Sequence, residues 1–363
     1  MAMDKQWYQS LAERGTRGEL PAQDTCLQLL TDSRIELLPL LDAAFQVRSH
    51  FHGREVTVHI INNVSNGLCS EDCNYCPQSK SSTAGIAAYT EKTEEEIGAE
   101  AKKAYEAGAH RYCMVYAGRR PSMSRTARIA NLVRNIKAQY PIEVCVSAGI
   151  MDDDSTRLLK EAGLDRLNHN LNTSADRYGK ICSTHTFADR LNTLKAARRA
   201  DLEVCSGIIA GMGETAGELL ELALMLRDLE AKSIPINFLL PIAGNRLENA
   251  QNLSPEYCLK ILCLFRFLNP QAEIRTAAGR EHHLRSMEVM SLYPANSLFM
   301  DGYLNTRGKS RKDTLQMIID AGFTIKSDKS AEELLRHETA DAGGEDYAIP
   351  GLKSDDDLHP ARN

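Results

Sequence analysis

From residue 56 to 322 the chain alternates short β-rich runs with longer amphipathic ones, and this alternation leaves few architectures open. The strand candidates are 56–62, 110–116, 142–148, 166–172, 203–210, 234–240, 273–278 and 296–301, eight in all. Helical periodicity lies between them over 94–107, 123–137, 154–161, 187–199, 216–229, 254–268 and 280–291. Several of these runs end in a helix-stop pattern, as at Ala107-Gly108 and Ala162-Gly163. The span is close to the roughly 250 residues of a closed (β/α)8 TIM-type barrel, an α/β fold whose reactive residues stand at the C-terminal ends of its strands. Residues 1–55, helical and leucine-rich, are expected to cap one end of a barrel at 56–325. The polar stretch 326–363 is expected to form a flexible tail.

Composition narrows the function. With 43% hydrophobic and 25% charged residues the chain is of ordinary globular type, and a net charge of -6 offers no basic patch, so no nucleic-acid partner is expected. No run approaches the ~18 apolar residues of a membrane span. The first residues lead into no apolar signal segment, which points to a reducing, cytoplasmic setting in which ten cysteines serve as ligands or thiols and not as disulfides.

Three of those cysteines, Cys69, Cys73 and Cys76, directly follow the first strand and the turn residues Asn62, Asn63, Asn66 and Gly67. A three-thiolate loop can hold three corners of a 4Fe-4S cube and leave one iron open, whereas structural zinc usually takes four protein ligands. Spacing alone leaves open a zinc site with a distant fourth ligand, or three unrelated thiols.

The interior strands carry unusual residues. In the fourth strand a period of two puts Asn168, Asn170 and Asn172 on one face, with Leu167, His169 and Leu171 on the other. Barrel interiors are normally filled by Val, Ile and Leu, and each unsatisfied buried amide group costs ~1–3 kcal/mol, so a polar ligand is the expected partner. An internal amide ladder with trapped water is the alternative, and His169 reads as a hydrogen-bonded core histidine. Cys113, Cys145 and Cys205 sit mid-strand in strands two, three and five, and Arg275 in strand seven. A buried guanidinium needs an anionic partner, which thiolates around a second cluster would provide. Gly211 and Gly213, after strand five, would let the backbone approach a flat ligand such as adenine. Cys26, Cys258 and Cys263 fall in helical segments and read as core or surface thiols.

The pattern Cys69-x-x-x-Cys73-x-Tyr75-Cys76 is the signature of radical S-adenosylmethionine enzymes. The strings CSEDCNYCPQS, LNHNLNTS (167–174), EVCSGIIAGMGET (203–215), SIPINFLL (233–240) and IRTAAGRE (274–281) closely resemble the biotin synthase family, in collinear order over roughly residues 20–325. The resemblance implies that Cys69, Cys73 and Cys76 hold a catalytic 4Fe-4S cluster whose open iron is chelated by S-adenosylmethionine. It places Tyr75, Ile209 and Leu240 near the adenosyl part, and Asn170 and Asn172 near the ribose. It assigns Cys113, Cys145, Cys205 and Arg275 to an auxiliary 2Fe-2S cluster, and Asn168, Asn170 and Asn237 to dethiobiotin. The implied reaction is sulfur insertion: a 5′-deoxyadenosyl radical removes hydrogen from dethiobiotin and the auxiliary cluster donates the sulfur of biotin. A low-potential electron donor and a homodimer are implied as well.

Three departures stand out. Asn172 replaces an aspartate common in the family; 114–120 lacks the tryptophan-containing segment of well-known members; and Cys182, just beyond strand four, is a candidate extra ligand that would make the auxiliary cluster something other than 2Fe-2S. Two other readings are a related radical enzyme of maturase or mutase type, which has no need of Cys113, Cys145, Cys205 and Arg275 together, and a non-enzymatic zinc-binding scaffold.

Overall fold

The computed structural model describes residues 3–249, 251, 253–341 and 353. Three helices come first: α1 (Lys5–Thr16), α2 (Gln23–Thr31) and α3 (Leu37–His52). The strands are β1 (Glu55–Asn63), β2 (Arg111–Val115), β3 (Glu143–Ser147), β4 (Arg166–Asn168), β5 (Glu203–Cys205), β6 (Ile208–Ala210), β7 (Ser233–Phe238), β8 (Glu273–Thr276), β9 (Ser297–Met300) and β10 (Thr324–Ile325). Between them run α4 (Glu94–Glu106), α5 (Met123–Gln139), α6 (Asp153–Glu161), α7 (Ala175–Ile181), α8 (Phe187–Arg199), α9 (Ala216–Asp228), α10 (Pro255–Leu268), α11 (Arg280–Leu284) and α12 (Arg311–Asp320), with α13 (Ala331–Asp341) last. Every strand pairing is parallel, and β9 returns to β1 to close an eight-stranded barrel in which β5 and β6 share one position. The short β10 pairs with the start of β1.

Local chemistry explains the boundaries. Thr93, Thr186 and Thr215 open α4, α8 and α9 with reciprocal capping boxes to Glu96, Asp189 and Glu218. The single strand expected over 203–210 is broken because Pro235, on the neighbouring β7, has no N–H to continue the ladder. Gly207 meets it there: a Cβ on Gly207 would lie 1.8 Å from the Pro235 oxygen. The strand expected over 166–172 ends early, at Asn168. The chain then passes through Asn172 in the left-handed region (φ 69), whose carbonyl accepts from the Ile209 N–H at 2.8 Å.

The helical cap expected over 1–55 packs α1 and α2 against α10, with α3 between α1 and α10. This explains why α10 is apolar almost all round and buried from Cys258 to Leu268: its outer face meets the cap, not water. Cys258 and Cys263 are buried within α10, and Cys26 within α2.

The flexible tail expected from 326 is corrected over 326–341. Lys329 Nζ donates to the Glu106 carbonyl at 3.2 Å, and the Tyr105 hydroxyl to Asp328 at 2.8 Å. The first turns of α13 bury Ala331 and Leu334. The sequence reading weighed the charge of this stretch and overlooked its few apolar positions at helical spacing. The rest of the expected tail, Lys353 apart, lies outside the described residues.

Candidate active site

Pairing register builds the site. Cys113 lies opposite Cys145, Asn168 opposite Cys205, and Arg275 opposite Ser297. Cys113, Cys145, Asn168, Cys205 and Arg275 enclose a cavity of about 30 Å³ in the barrel interior, with Phe299 and Tyr303 completing the wall. Cys145 is the common hydrogen-bond partner of Cys113 and Cys205. Hydrogen bonding to Cys145, with help from Arg275, holds Cys113 and Cys205 below the usual thiol range and pushes Cys145 above it.

Two residues earlier on each strand lies a charged layer that the sequence reading missed: His59, Arg111, Glu143, Arg166, Glu203 and Glu273. Glu273 is its centre, 3.0 Å from His59, 3.1 Å from Arg111 and 2.9 Å from Arg166, and it also takes the Arg275 guanidinium. Burial opposes ionisation of Glu273, yet Arg111, His59 and Arg275 overcome it and hold the carboxyl well below its usual range. The anion beneath Arg275 is therefore a carboxylate and not the thiols alone. Arg275 also donates to Ser233 at 2.7 Å and Ser297 at 3.0 Å, and reaches to 3.9 Å from Cys205 Sγ. The signal for this layer was present in sequence, as a charged residue at i−2 from Cys113, Cys145, Asn168, Cys205 and Arg275.

Above lies a larger cavity of about 210 Å³. Tyr75, Cys76, Asn168, Asn170, Asn172, Ile209, Asn237 and Leu240 all line it, so the cosubstrate and substrate candidates converge. Val115, Ser147, Asn168, Asn170 and Tyr303 line both cavities. Asn168 Nδ2 donates to Asn170 Oδ1 at 3.2 Å and lies 3.3 Å from Cys205 Sγ. Asn170 Oδ1 also accepts from the Gly207 N–H at 3.1 Å, so part of the amide ladder exists. Asn172 Nδ2 donates to the Tyr75 hydroxyl at 2.5 Å. Asn237 lines the cavity, but its amide already bonds the Ile208 carbonyl at 2.9 Å and the Ala278 N–H at 3.2 Å.

Three expectations need correction. His169 is buried and lines the cavity, but among the described residues its Nε2 has no hydrogen-bond partner, because the end of β4 at Asn168 leaves the ring outside the regular strand pattern. Gly211 (φ 99) and Gly213 (φ 88) form a turn closed by Glu214, whose carboxylate accepts from the Gly211 and Met212 N–H groups at 2.6 and 2.9 Å, and they do not face the cavity. Cys182 does not join Cys113, Cys145 and Cys205. Its sulfur lies 3.8 Å from Cys73, because α7 carries it back over the Cys69–Cys76 loop, where Asn74 N donates to Ile181 O at 2.9 Å.

Arg190 of α8 was also missed. It lines the larger cavity, donates to the Asn170 carbonyl at 2.8 Å and, among the described residues, has no carboxylate in ion-pair distance. An arginine inside an amphipathic helix carries no sequence mark of its own.

The Radical SAM superfamily model matches residues 63–226, and the Biotin and Thiamin Synthesis associated domain matches 235–324. The chain is 57% identical to the biotin synthase of Magnetococcus marinus over 316 residues, covering 87% of this chain and 98% of that protein. It belongs to the biotin synthase family of radical SAM enzymes. A second relative, the biotin synthase of Acaryochloris marina, is 54% identical over 85% of this chain and 89% of its own length. Crystal structures of methylornithine synthase (TM-score 0.74, 21% identity, 91% of this chain and 99% of that one) and of the FeFe-hydrogenase maturase of Carboxydothermus hydrogenoformans (0.75, 18%, 90% and 81%) share the fold. Family membership makes the chain an enzyme and sets aside the zinc-scaffold reading.

The donor sets fit the groups the family implies. Cys69 and Cys76 are partly exposed and Cys73 is buried, which suits a cluster with one face towards the cavity. Three convergent thiols and a guanidinium around an enclosed space suit a second, sulfide-containing group.

Proposed function

We propose that the chain converts dethiobiotin to biotin by radical sulfur insertion. The observation that carries this reading is the shared wall of the two cavities: Asn168 borders both the space beside Tyr75 and Cys76 and the space among Cys113, Cys145 and Cys205. Cys69, Cys73 and Cys76 would hold the 4Fe-4S cluster, and Cys113, Cys145, Cys205 and Arg275 the auxiliary 2Fe-2S cluster. When bound, these groups and S-adenosylmethionine supply a hydrogen-abstracting radical at one end of the substrate space and a sulfur atom at the other.

The chain's own residues bind, orient and exclude water. Asn168, Asn170 and Asn237 would meet the ureido and chain polar groups of dethiobiotin. Asn172, held by Tyr75, would meet the ribose of S-adenosylmethionine, with Ile209 and Leu240 against its adenosyl part. As an amide, Asn172 presents one acceptor oxygen where an aspartate would present two. Arg190, a cavity-lining guanidinium, suits a ligand carboxylate. Enclosure matters because a carbon radical reacts with whatever lies nearest, so position decides the product. With Cys182 beside Cys73, the 2Fe-2S assignment keeps its three thiolates and Arg275. A low-potential electron donor, a cytoplasmic setting and a homodimer complete the reading. Among the described residues no helix is long and apolar enough to cross a membrane.

The test is anaerobic incubation of the reconstituted protein with dethiobiotin, S-adenosylmethionine and a low-potential reductant, with biotin and 5′-deoxyadenosine quantified. Biotin formed together with 5′-deoxyadenosine is expected. Formation of 5′-deoxyadenosine without biotin refutes sulfur insertion on this substrate and returns the maturase or mutase reading.

A further inference from the structure

Cys182, at the end of α7, brings its sulfur to 3.8 Å from Cys73 Sγ and 3.3 Å from His185 Nδ1. One ligand atom from each of Cys73, Cys182 and His185 lies within 4.8 Å of the others, and all three residues are buried. Tetrahedral ligation at a metal–sulfur distance of about 2.3 Å and a metal–nitrogen distance of about 2.0 Å puts two sulfurs about 3.8 Å apart and a sulfur and nitrogen about 3.5 Å apart. The observed separations are those of ligands on a single ion.

The surroundings hold this arrangement. Asp72 accepts from the Ser183 and Thr184 N–H groups at 2.9 and 3.2 Å, which ties the loop of Cys73 to the loop of Cys182. Glu71 Oε2 lies 2.5 Å from His185 Nδ1, a hydrogen bond shorter than the about 3.3 Å between two ligand atoms of one tetrahedral ion, so Glu71 holds the ring in place and must give up that contact when a cation binds. His185 Nε2 lies 2.8 Å from the Tyr178 hydroxyl, which can accept its proton once Nδ1 carries a cation. Arg190 also approaches that nitrogen, at 2.9 Å, and would keep its bond to the Asn170 carbonyl.

We infer that, in the chain without its clusters, Cys73, Cys182 and His185 bind one thiophilic divalent cation. Two sulfurs and an imidazole select zinc or ferrous iron over magnesium or calcium. Binding releases the thiol protons and involves no electron transfer. The ion and the 4Fe-4S cluster compete for Cys73, so the site is a way-station or a block for metal entering the loop. The inference needs neither dethiobiotin nor sulfur insertion, and the assay above can fail without affecting it.

The test uses the full-length chain stripped of clusters by chelator and reductant, then titrated anaerobically with cobalt(II) as the probe. One cobalt per chain, with thiolate-to-cobalt charge transfer and the strong visible bands of tetrahedral cobalt, is expected. Cys182→Ala and His185→Gln should each weaken binding about tenfold or more, while Cys69→Ala should leave it in place. Circular dichroism would verify that each variant folds, and two independent ligand variants guard against one that does not. Zinc preloading should slow rebuilding of the 4Fe-4S absorbance in the wild type and not in Cys182→Ala. Unchanged cobalt binding in both ligand variants, loss of binding in Cys69→Ala, or no binding at all would overturn the proposal.

Discussion

Asn168 Nδ2 lies 3.3 Å from the sulfur of Cys205, and the same side chain lines the larger cavity above. One residue thus touches the thiol trio and the substrate space together. Asn168→Ala should lower biotin formation by about 10–100-fold, the value of one or two hydrogen bonds. Steady-state assays with auxiliary-cluster absorbance measured in parallel check this, because a catalytic loss with the cluster retained separates positioning from assembly.

Gly207 has no room for a side chain, since its Cβ would lie 1.8 Å from the Pro235 oxygen. The clash is with backbone, so β5 and β7 must part. Gly207→Ala should destabilise the protein by about 3 kcal/mol or more and disturb Asn170, which accepts from the Gly207 N–H. The urea midpoint of the variant reads this out, and an unchanged midpoint would contradict the packing described.

Glu273 neutralises a buried layer. Glu273→Leu leaves Arg111, Arg166 and Arg275 facing one another with less counter-charge, an arrangement that costs about 3–5 kcal/mol when one partner of a buried network is removed. Thermal unfolding should shift sharply downward, and Arg275 should lose its set position beside Cys205.

Leu334 of α13 is buried against Gly108, where an added Cβ would meet its Cδ1 at 2.3 Å. Leu334→Ala should cost about 2–3 kcal/mol. Limited proteolysis should then cut within 326–341 in the variant, and not in the wild type.

The buried Nε2 of His52 has no hydrogen-bond partner among the described residues, and burial, with Arg266 and Arg48 adding, pushes its pKa down to about 3. An unfolded histidine titrates near 6.5, so between these values the unfolded chain holds a proton that the folded one does not. Stability is therefore full above pH 6.5 and falls as the pH drops below it, by at most about 2 kcal/mol at pH 5 from this residue. His52→Gln should flatten the pH dependence of the urea midpoint between pH 7 and 5.

The sequence by itself determined the barrel, because the apolar alternation repeats eight times and each repeat is readable within its own segment. It also determined the Cys69–Cys76 loop, whose three thiols are local; strand periodicity reached only as far as Asn168, because β4 ends there and the chain path beyond it brings His169, Asn170 and Asn172 to the same cavity. The tertiary structure alone decided what depends on distant segments meeting. Pro235 breaks the strand at Gly207 only because β7 runs beside it. Glu273 serves Arg275 through a charged layer that is complete only when the barrel closes. Cys182 is the sharpest case: sequence proximity to strand four suggested the auxiliary trio, but α7 turns it back to Cys73. A sulfur's chemistry depends on which ligands surround it, and that is fixed by chain path and not by position along the chain.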